Sequence, residues 1–322
     1  MLFRWTMAAA AAAACFMAQA ATGLVYVSSE KDHAVTVLDP QSLAVVAVIP
    51  TCKRPRHLQR VPGGTQLMVA CSDGGEADVI DLASRRSVRR VPLGADPELF
   101  DLSADGRTAF VSNEDDGALN VIDIASGKRL RTVEVGVEPE GVKLSADGQQ
   151  VYVTSEVANM VHVIDVGSGR IVKNISVGKR PRRFALSPDG RELWVSNELD
   201  ASVSVISTRE LVVTHTVRMQ LQGLRDSDIT PVGLVFAPDG KTVFVSLGRA
   251  NHVAFVDAAS KRATRHVLVG KRAWGLGLSR DGSRLYVANG LSDDLTLVDV
   301  AQGRAVKTVP VGRVPHSVVV DE

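Results

Sequence analysis

An all-β, seven-bladed propeller of four-stranded antiparallel blades is the fold this sequence predicts, on three observations. Gly64, Gly106, Gly148 and Gly190 recur every 42 residues, with Gly240 after 50 and Gly282 after 42 more. A second marker keeps the same step: Asp39, Asp81, Asp123, Asp165, Ser207, Asp257 and Asp299 each close a V-I-D-like run, interrupted once by the same eight residues. After residue 20 the chain is built of short alternating apolar runs and turn dipeptides, without helical periodicity. Seven repeats of this length and texture imply a radial array of small sheets, with helices absent or confined to loops.

The first residues differ in kind. MLFR, an apolar alanine-rich stretch and then Ala18-Gln19-Ala20 describe a secretory signal peptide over residues 1–20, cut after Ala20, and hence an exported, periplasmic protein. The stretch has roughly a dozen apolar residues where a membrane span needs about 20, so no stable membrane insertion is expected once it is removed. Lipidation at Cys15 is disfavoured because Ala12 is a poor start for a lipobox. Residues 21–322 are then one propeller domain.

That domain opens on a second-strand sequence, GLVYVSS (23–29), and ends on a first-strand sequence, HSVVVD (316–321). The C-terminal strand is therefore expected to complete the N-terminal blade and close the ring without free sheet edges. The third unit shows the pattern inside a blade. ELFDLS (98–103) is strand a, TAFVSN (108–113) strand b, LNVIDI (119–124) strand c and RLRTVEV (129–135) strand d, with ADG, EDDGA and ASGK between them. Asp-Gly suits the first turn because glycine accepts positive φ. Two departures from regularity stand out, an eight-residue insertion within 219–230 and Ser207 in place of Asp.

Cleavage removes Arg4 and leaves 36 basic against 36 acidic residues. Duplex binders carry a strong basic excess to neutralise phosphates, so nucleic acid is disfavoured as a partner. Two cysteines survive. Cys52 replaces the glycine that ends a d strand and Cys71 replaces the Asn or Ser that ends a b strand, which places both at the same end of neighbouring strands. That arrangement predicts a Cys52–Cys71 disulfide in an oxidising compartment, the alternative being two small residues tolerated in loops.

Because every position can be compared with six others, positions that differ between units mark a site. Strand a lines the channel, and the residues just after the loop proline are Arg56, Glu98, Glu140, Arg182, Val232, Trp274 and His316. This chemically diverse ring is expected around one channel mouth, with Arg183, Lys53, Arg54, Lys179, Arg180, Lys271, Arg272 and Arg313 near it and Glu30, Glu114, Glu156 and Glu198 in the b–c loops. Arg presents a fork suited to carboxylates and Trp274 a stacking face, so Arg56, Glu98, Glu140, Arg182, Arg183, Trp274 and His316 form a candidate site for a small anionic ligand. Two other readings stay open: solvated loop residues, and Arg56 and Arg182 simply neutralising Glu98 and Glu140.

Catalytic and metal signatures are thin. There is no G-x-S-x-G, no phosphate-binding glycine loop, no H-E-x-x-H and no C-x-x-C, and GLGLS at 275–279 reads as a strand. His57, His162 and His316 have no ligand spacing, so no zinc is expected. Glu98 and Glu140 are a candidate carboxylate pair, but too few oxygens accompany them to predict calcium. No bound cofactor and no catalytic residue are assigned from these patterns.

YVSSEKDHAVTVLD, FVSNEDDGALNVID, WVSNELDASVSVIS and YVANGLSDDLTLVD resemble the YVTN-type β-propeller repeat across residues 23–322. CKRPR (52–56), DPELF (96–100), VEPEGV (137–142), TSEVANMVHVID (154–165), KRPRRF (179–184) and VGRVPHSV (311–318) together resemble, more narrowly, the secreted propeller associated with PQQ-dependent alcohol catabolism. That resemblance implies a non-catalytic accessory or scaffold role beside quinoprotein dehydrogenases and an ABC transport system, which become candidate partners, with PQQ a candidate ligand. Seven-bladed propellers of related appearance also include lactonases. On that alternative Glu98, Glu140 and His316 act as base and acid at the mouth, although flanking arginines would depress both carboxylates and make them poor bases.

Overall fold

Blade three shows how the repeat becomes structure. Its strands are Pro97–Leu102, Thr108–Asn113, Ala118–Asp123 and Arg129–Glu134, each six residues long and joined in antiparallel order. The repeated Asp123 works as a turn cap, because its Oδ1 accepts from the Ser126 N–H at 2.8 Å and the Ser126 hydroxyl at 2.5 Å. The Asp-Gly turn glycines Gly106, Gly148, Gly190, Gly240 and Gly282 have φ between +68° and +72°. In the second unit Pro62-Gly63-Gly64 replaces Ala-Asp-Gly, and the positive φ moves to Gly63 at +70° rather than Gly64.

The computed structural model describes residues 21–322; the expected signal peptide lies outside the described residues. Seven four-stranded sheets form a seven-bladed propeller, and the last strand, Pro315–Asp321, pairs antiparallel with Leu24–Ser29 to complete blade one. The Thr22 N–H and hydroxyl both donate to Asp321 Oδ2 at 2.7 Å, fastening the two ends. The inner strands Pro55–Arg60, Pro97–Leu102, Pro139–Leu144, Pro181–Leu186, Pro231–Phe236, Ala273–Leu278 and Pro315–Asp321 each touch the next, and the last touches the first. The described residues contain three single-turn 3₁₀ segments, all in loops, and no helix long and apolar enough to cross a membrane.

The core lies between blades. Met68 and Val79 of blade two pack with Phe100 and Val111 of blade three, and the same stacking repeats around the ring. Outer strands such as Val45–Pro50 are largely exposed, so burial falls from hub to rim. Blade five is regular despite its substitution: Ser207 pairs with Glu192 and Val212, and its hydroxyl accepts from the Glu210 N–H at 3.2 Å. The insertion is accommodated between blades five and six, where Met219 and Ile229 are buried at its ends and the 3₁₀ turn Asp226–Asp228 is exposed.

Candidate functional site

The mouth residues owe their direction to a break in strand pairing. In blades two to seven the register shifts between the first and fourth residue of the inner strand, as at Pro139/Val142 and Pro181/Phe184. The bulge spans the ring residue and the one after it, and bulges re-aim side chains at functional rims. Hydroxyls on strand b then anchor the ring residue of the next blade. Ser28 donates to the Arg56 carbonyl at 2.6 Å, Ser112 to Glu140 at 2.6 Å, Ser196 to Val232 at 2.7 Å and Ser246 to Trp274 at 2.7 Å. Ala70 and Ala288 occupy the corresponding positions before Glu98 and His316. At Gly141 and Gly275 a Cβ would collide with the carbonyls of Arg182 and His316, so these glycines admit the close approach of adjacent inner strands.

The loops above the ring are held as firmly. Arg54, Asp96, Glu138, Arg180, Arg272 and Val314, each just before an inner strand, all have positive φ. Their strain is met by hydrogen bonds across the face: Arg180 N–H donates to Asn159 Oδ1 and Arg272 N–H to Asn251 Oδ1, each at 2.8 Å. The carbonyls of Asp96, Glu138 and Arg180 in turn accept from the backbone N–H of Glu114, Glu156 and Glu198. The b–c loop glutamates are thereby fixed beside the ring.

The structure brings Arg56, Glu98, Glu140, Arg182, Arg183 and His316 into one buried network, each less than a tenth exposed. Arg56 pairs with Glu98. Arg182 pairs with Glu156, lies 3.3 Å from Glu140 Oε1 and lies 3.5 Å from Glu198 Oε2. Arg183 reaches across the channel to place Nη2 2.9 Å from His316 Nε2, which also accepts from Arg56 Nε at 3.3 Å. A ring nitrogen facing two guanidinium donors is an unprotonated acceptor, so the geometry suits a neutral His316. Burial, with Arg183, Arg56 and neighbouring groups, accordingly pushes His316 well below the ordinary histidine value.

The two ring glutamates, alike in sequence context, titrate in opposite directions. Burial and the charge of Glu140 push Glu98 well above the usual carboxylate range against the pull of Arg56. Glu140 is equally buried, but Arg182, Arg56 and Arg183 outweigh that burial and hold it low. The expectation that arginines depress both carboxylates therefore applies to Glu140 and fails for Glu98, where one guanidinium does not offset complete burial beside other acids. Glu156 is pushed up to about 7 by burial despite Arg182 and Arg180.

Trp274 is 5% exposed, and Arg272, Arg182 and Arg183 lie over its ring with guanidinium carbons 4.6, 5.2 and 5.9 Å from its centroid. The indole therefore floors a cluster of arginines instead of presenting the open stacking face expected from sequence. Its Nε1 is buried and has no acceptor. Beside it opens a cavity of ≈ 410 Å³ in which Arg180, Arg182, Arg249, Lys271 and Arg272 face one carboxylate, Glu198. A second cavity of ≈ 410 Å³ on the side of blades two and three is lined by Asp73, Asp96 and Asp115 with Arg54. The mouth is thus polarised, basic on one side and acidic on the other. Beneath the network the channel keeps a third cavity of ≈ 390 Å³, walled by Phe100, Phe184 and Phe236 and reached by Asp101, Lys143 and Arg183.

Cys52 and Cys71 form a disulfide with Cα atoms 5.8 Å apart, tying the loop that carries Arg54 to the end of strand Gln66–Cys71. Arg249 escaped the sequence reading, whereas His57 was considered there only as a metal ligand. Arg249 follows the insertion's register change, and the backbone N–H of Arg249 donates to Thr230 Oγ1 at the insertion's end at 2.8 Å. His57 follows Arg56 in the bulge; burial and Arg183 push it down to about 3.

The family described as Lactonase, 7-bladed beta-propeller matches residues 105–211 and 172–321. Several solved structures share the fold. Periplasmic gluconolactonase PpgL of Pseudomonas aeruginosa is 22% identical, with a TM-score of 0.77 over 92% of this chain and 98% of that one. Kuenenia stuttgartiensis hydrazine synthase is 21% identical, with a TM-score of 0.73 over 82% and 89%. Dihydro-heme d1 dehydrogenase NirN in complex with DHE is 19% identical, with a TM-score of 0.69 over 92% and 74%. No curated protein matches the chain by sequence. The matched family segments run through most of the propeller and include Glu140, Arg182, Trp274 and His316, so the chain belongs to the seven-bladed β-propeller lactonase family.

Proposed function

We propose that this protein is an exported accessory propeller that binds a small carboxylate-bearing compound on the basic side of its channel mouth. The observation that carries the reading is the ≈ 410 Å³ cavity where Arg249, Lys271 and Arg272, with no ion-pair partner among the described residues, stand beside Arg180 and Arg182, which are already paired with Glu156. Guanidinium groups such as those of Arg249 and Arg272 recognise carboxylates through paired N–H donors. A flat polycarboxylate such as PQQ has the charge this cavity asks for, and the sequence resemblance to the PQQ-associated propeller supports it. A quinoprotein dehydrogenase or an ABC transport component is the corresponding partner. The signal-like residues 1–20, the Cys52–Cys71 disulfide and the fold shared with a periplasmic gluconolactonase support a periplasmic location.

A second reading, hydrolysis of an anionic lactone, is favoured by family membership and by one atom. Glu198 lines the same cavity, and its Oε2, itself buried, has no hydrogen-bond donor, its nearest guanidinium nitrogens standing 3.4 and 3.5 Å away. On this reading Glu198 takes a proton from water as the oxygen adds to the lactone carbonyl. The arginines stabilise the oxyanion, and the ring C–O bond breaks as its oxygen takes the proton back. The trio Glu98, Glu140 and His316 is less suited, since Glu98 is completely buried against Arg56 and guanidinium groups occupy Glu140 and His316.

Calorimetric titration of the mature protein with PQQ, gluconate and glucono-lactone tests the site. An Arg249→Ala, Arg272→Ala variant is expected to weaken binding at least about tenfold, the loss of roughly 1.4 kcal/mol; isotherms unchanged from wild type would overturn the binding site. Lactone opening followed by pH-stat separates the two readings. Turnover that disappears in Glu198→Gln establishes hydrolysis, whereas binding without turnover leaves the accessory role.

A further inference from the structure

The acidic side of the mouth has its own chemistry. Asp96 lies in the loop entering blade three, Glu98 on its inner strand and Glu114 in its b–c loop. One carboxylate oxygen from each lies within 4.8 Å of the others. Glu98 is completely buried, and while its Oε1 meets Arg56, its Oε2 has no donor. Asp96 Oδ1 is also buried without a hydrogen-bond donor. Two carboxylates so placed need either a proton or a cation between them.

The nearby cation does not fill that need. Arg54 stands 3.5 Å from Glu30, 3.5 Å from Asp73 and 3.8 Å from Asp96, too far from all three for a paired fork, and its side chain is a third exposed. The adjoining cavity adds Asp73 and Asp115, and gives Arg54 room to turn away. Calcium accepts an irregular shell of carboxylate and water oxygens at about 2.3–2.6 Å, whereas magnesium demands near-ideal octahedral geometry at about 2.0–2.1 Å, so three carboxylates converging from three different segments suit calcium better. An all-oxygen donor set likewise selects a hard cation over zinc.

We propose that Asp96, Glu98 and Glu114 bind a calcium ion, one oxygen from each, with water completing the shell. The ion satisfies Glu98 Oε2 and clips the entry loop, inner strand and b–c loop of blade three together. The site is separate from the basic cavity, so it stands whether or not that cavity binds an anion.

EDTA-treated mature protein titrated with CaCl₂ by calorimetry, with MgCl₂ in parallel, provides the test. The expected result is one calcium per chain, a raised melting temperature, and magnesium at least about tenfold weaker. Glu114→Gln and Asp96→Asn, both at partly exposed positions, are expected to lose binding at least about tenfold while keeping the wild-type circular dichroism. Asp115→Asn, on the same cavity but outside the triad, is expected to retain it. No heat and no thermal shift at calcium up to about 10 mM, above the range of weak extracellular sites, would overturn the proposal. So would calcium binding that Glu114→Gln leaves unchanged.

Discussion

Replacing Arg182 by Met is the sharpest probe of how the mouth is held together. Arg182 is 6% exposed and faces Glu140, Glu156 and Glu198, the first two themselves buried. Methionine keeps much of the volume and removes the charge. Breaking one side of a buried ion pair costs about 3–5 kcal/mol because the partner is left uncompensated, and here at least two carboxylates lose a partner. The expected loss at pH 8 is therefore at least about 3 kcal/mol, roughly two powers of ten in the folded-to-unfolded ratio.

The pH dependence gives the reasoning a second check. In the wild type Glu140 is held low, so the stability it contributes is present above the unfolded carboxylate value of about 4.3 and lost only as pH falls through its lower folded value. Without Arg182 burial dominates, the folded value rises above the unfolded one, and the variant gains stability as acid protonates Glu140. Glu156, already at about 7, moves further in the same direction. Urea denaturation at pH 8 and pH 5 should show the deficit shrinking on acidification, with an unchanged urea slope. Adding Glu140→Gln should recover part of it as a coupling of about 1 kcal/mol or more. A deficit below about 1 kcal/mol at pH 8, or an equal deficit at both pH values, would refute the argument.

Three further outcomes follow from the same structure. Removing residues 315–322 strips the inner strand from blade one, exposes the paired edge of Leu24–Ser29 and removes the contacts with the inner strands of both neighbouring blades, so the cooperative melt seen by circular dichroism should be lost; a truncated chain that melts like the intact one would exclude ring closure by this strand. Replacing Cys52 and Cys71 by Ser should cost roughly 3 kcal/mol in guanidinium unfolding, from a closed loop of 19 residues, and reductant should have no further effect on that variant. Glu156→Gln should abolish the stability that the wild type loses as pH rises from the unfolded value of about 4.3 through about 7, which melts across that range would read.

The repeat made the blades legible because strands and turns are local. Alternation, Asp caps and turn glycines act within a few residues, so a period of 42 carries them all, and even the disulfide follows from positions in neighbouring units. The composition of the mouth ring was legible for the same reason. Its geometry was not. The bulge that turns both Arg182 and Arg183 inward has no sequence marker beyond the loop proline, and the hydroxyls of Ser28, Ser112, Ser196 and Ser246 look like ordinary strand residues until the next blade is beside them. Arg249 was hidden because its equivalents in other b–c loops, Asp115, Val157, Leu199 and Leu291, share no charge that would mark the position as part of a site.

By itself, then, the sequence determined seven four-stranded blades, their closure by the last strand, and the residue types at one channel mouth, since each depends on short-range pattern and on counting. Only the tertiary structure decided which charges meet. Glu98 and Glu140 occupy equivalent positions, each after a proline, yet one is pushed up and the other held low. The difference lies in groups from other blades: Arg182 and Arg183 reach Glu140 from blade five, while Glu98 is left with Arg56 and the acids around it. Electrostatic energy depends on distance through space and on burial, and neither is written in a single repeat.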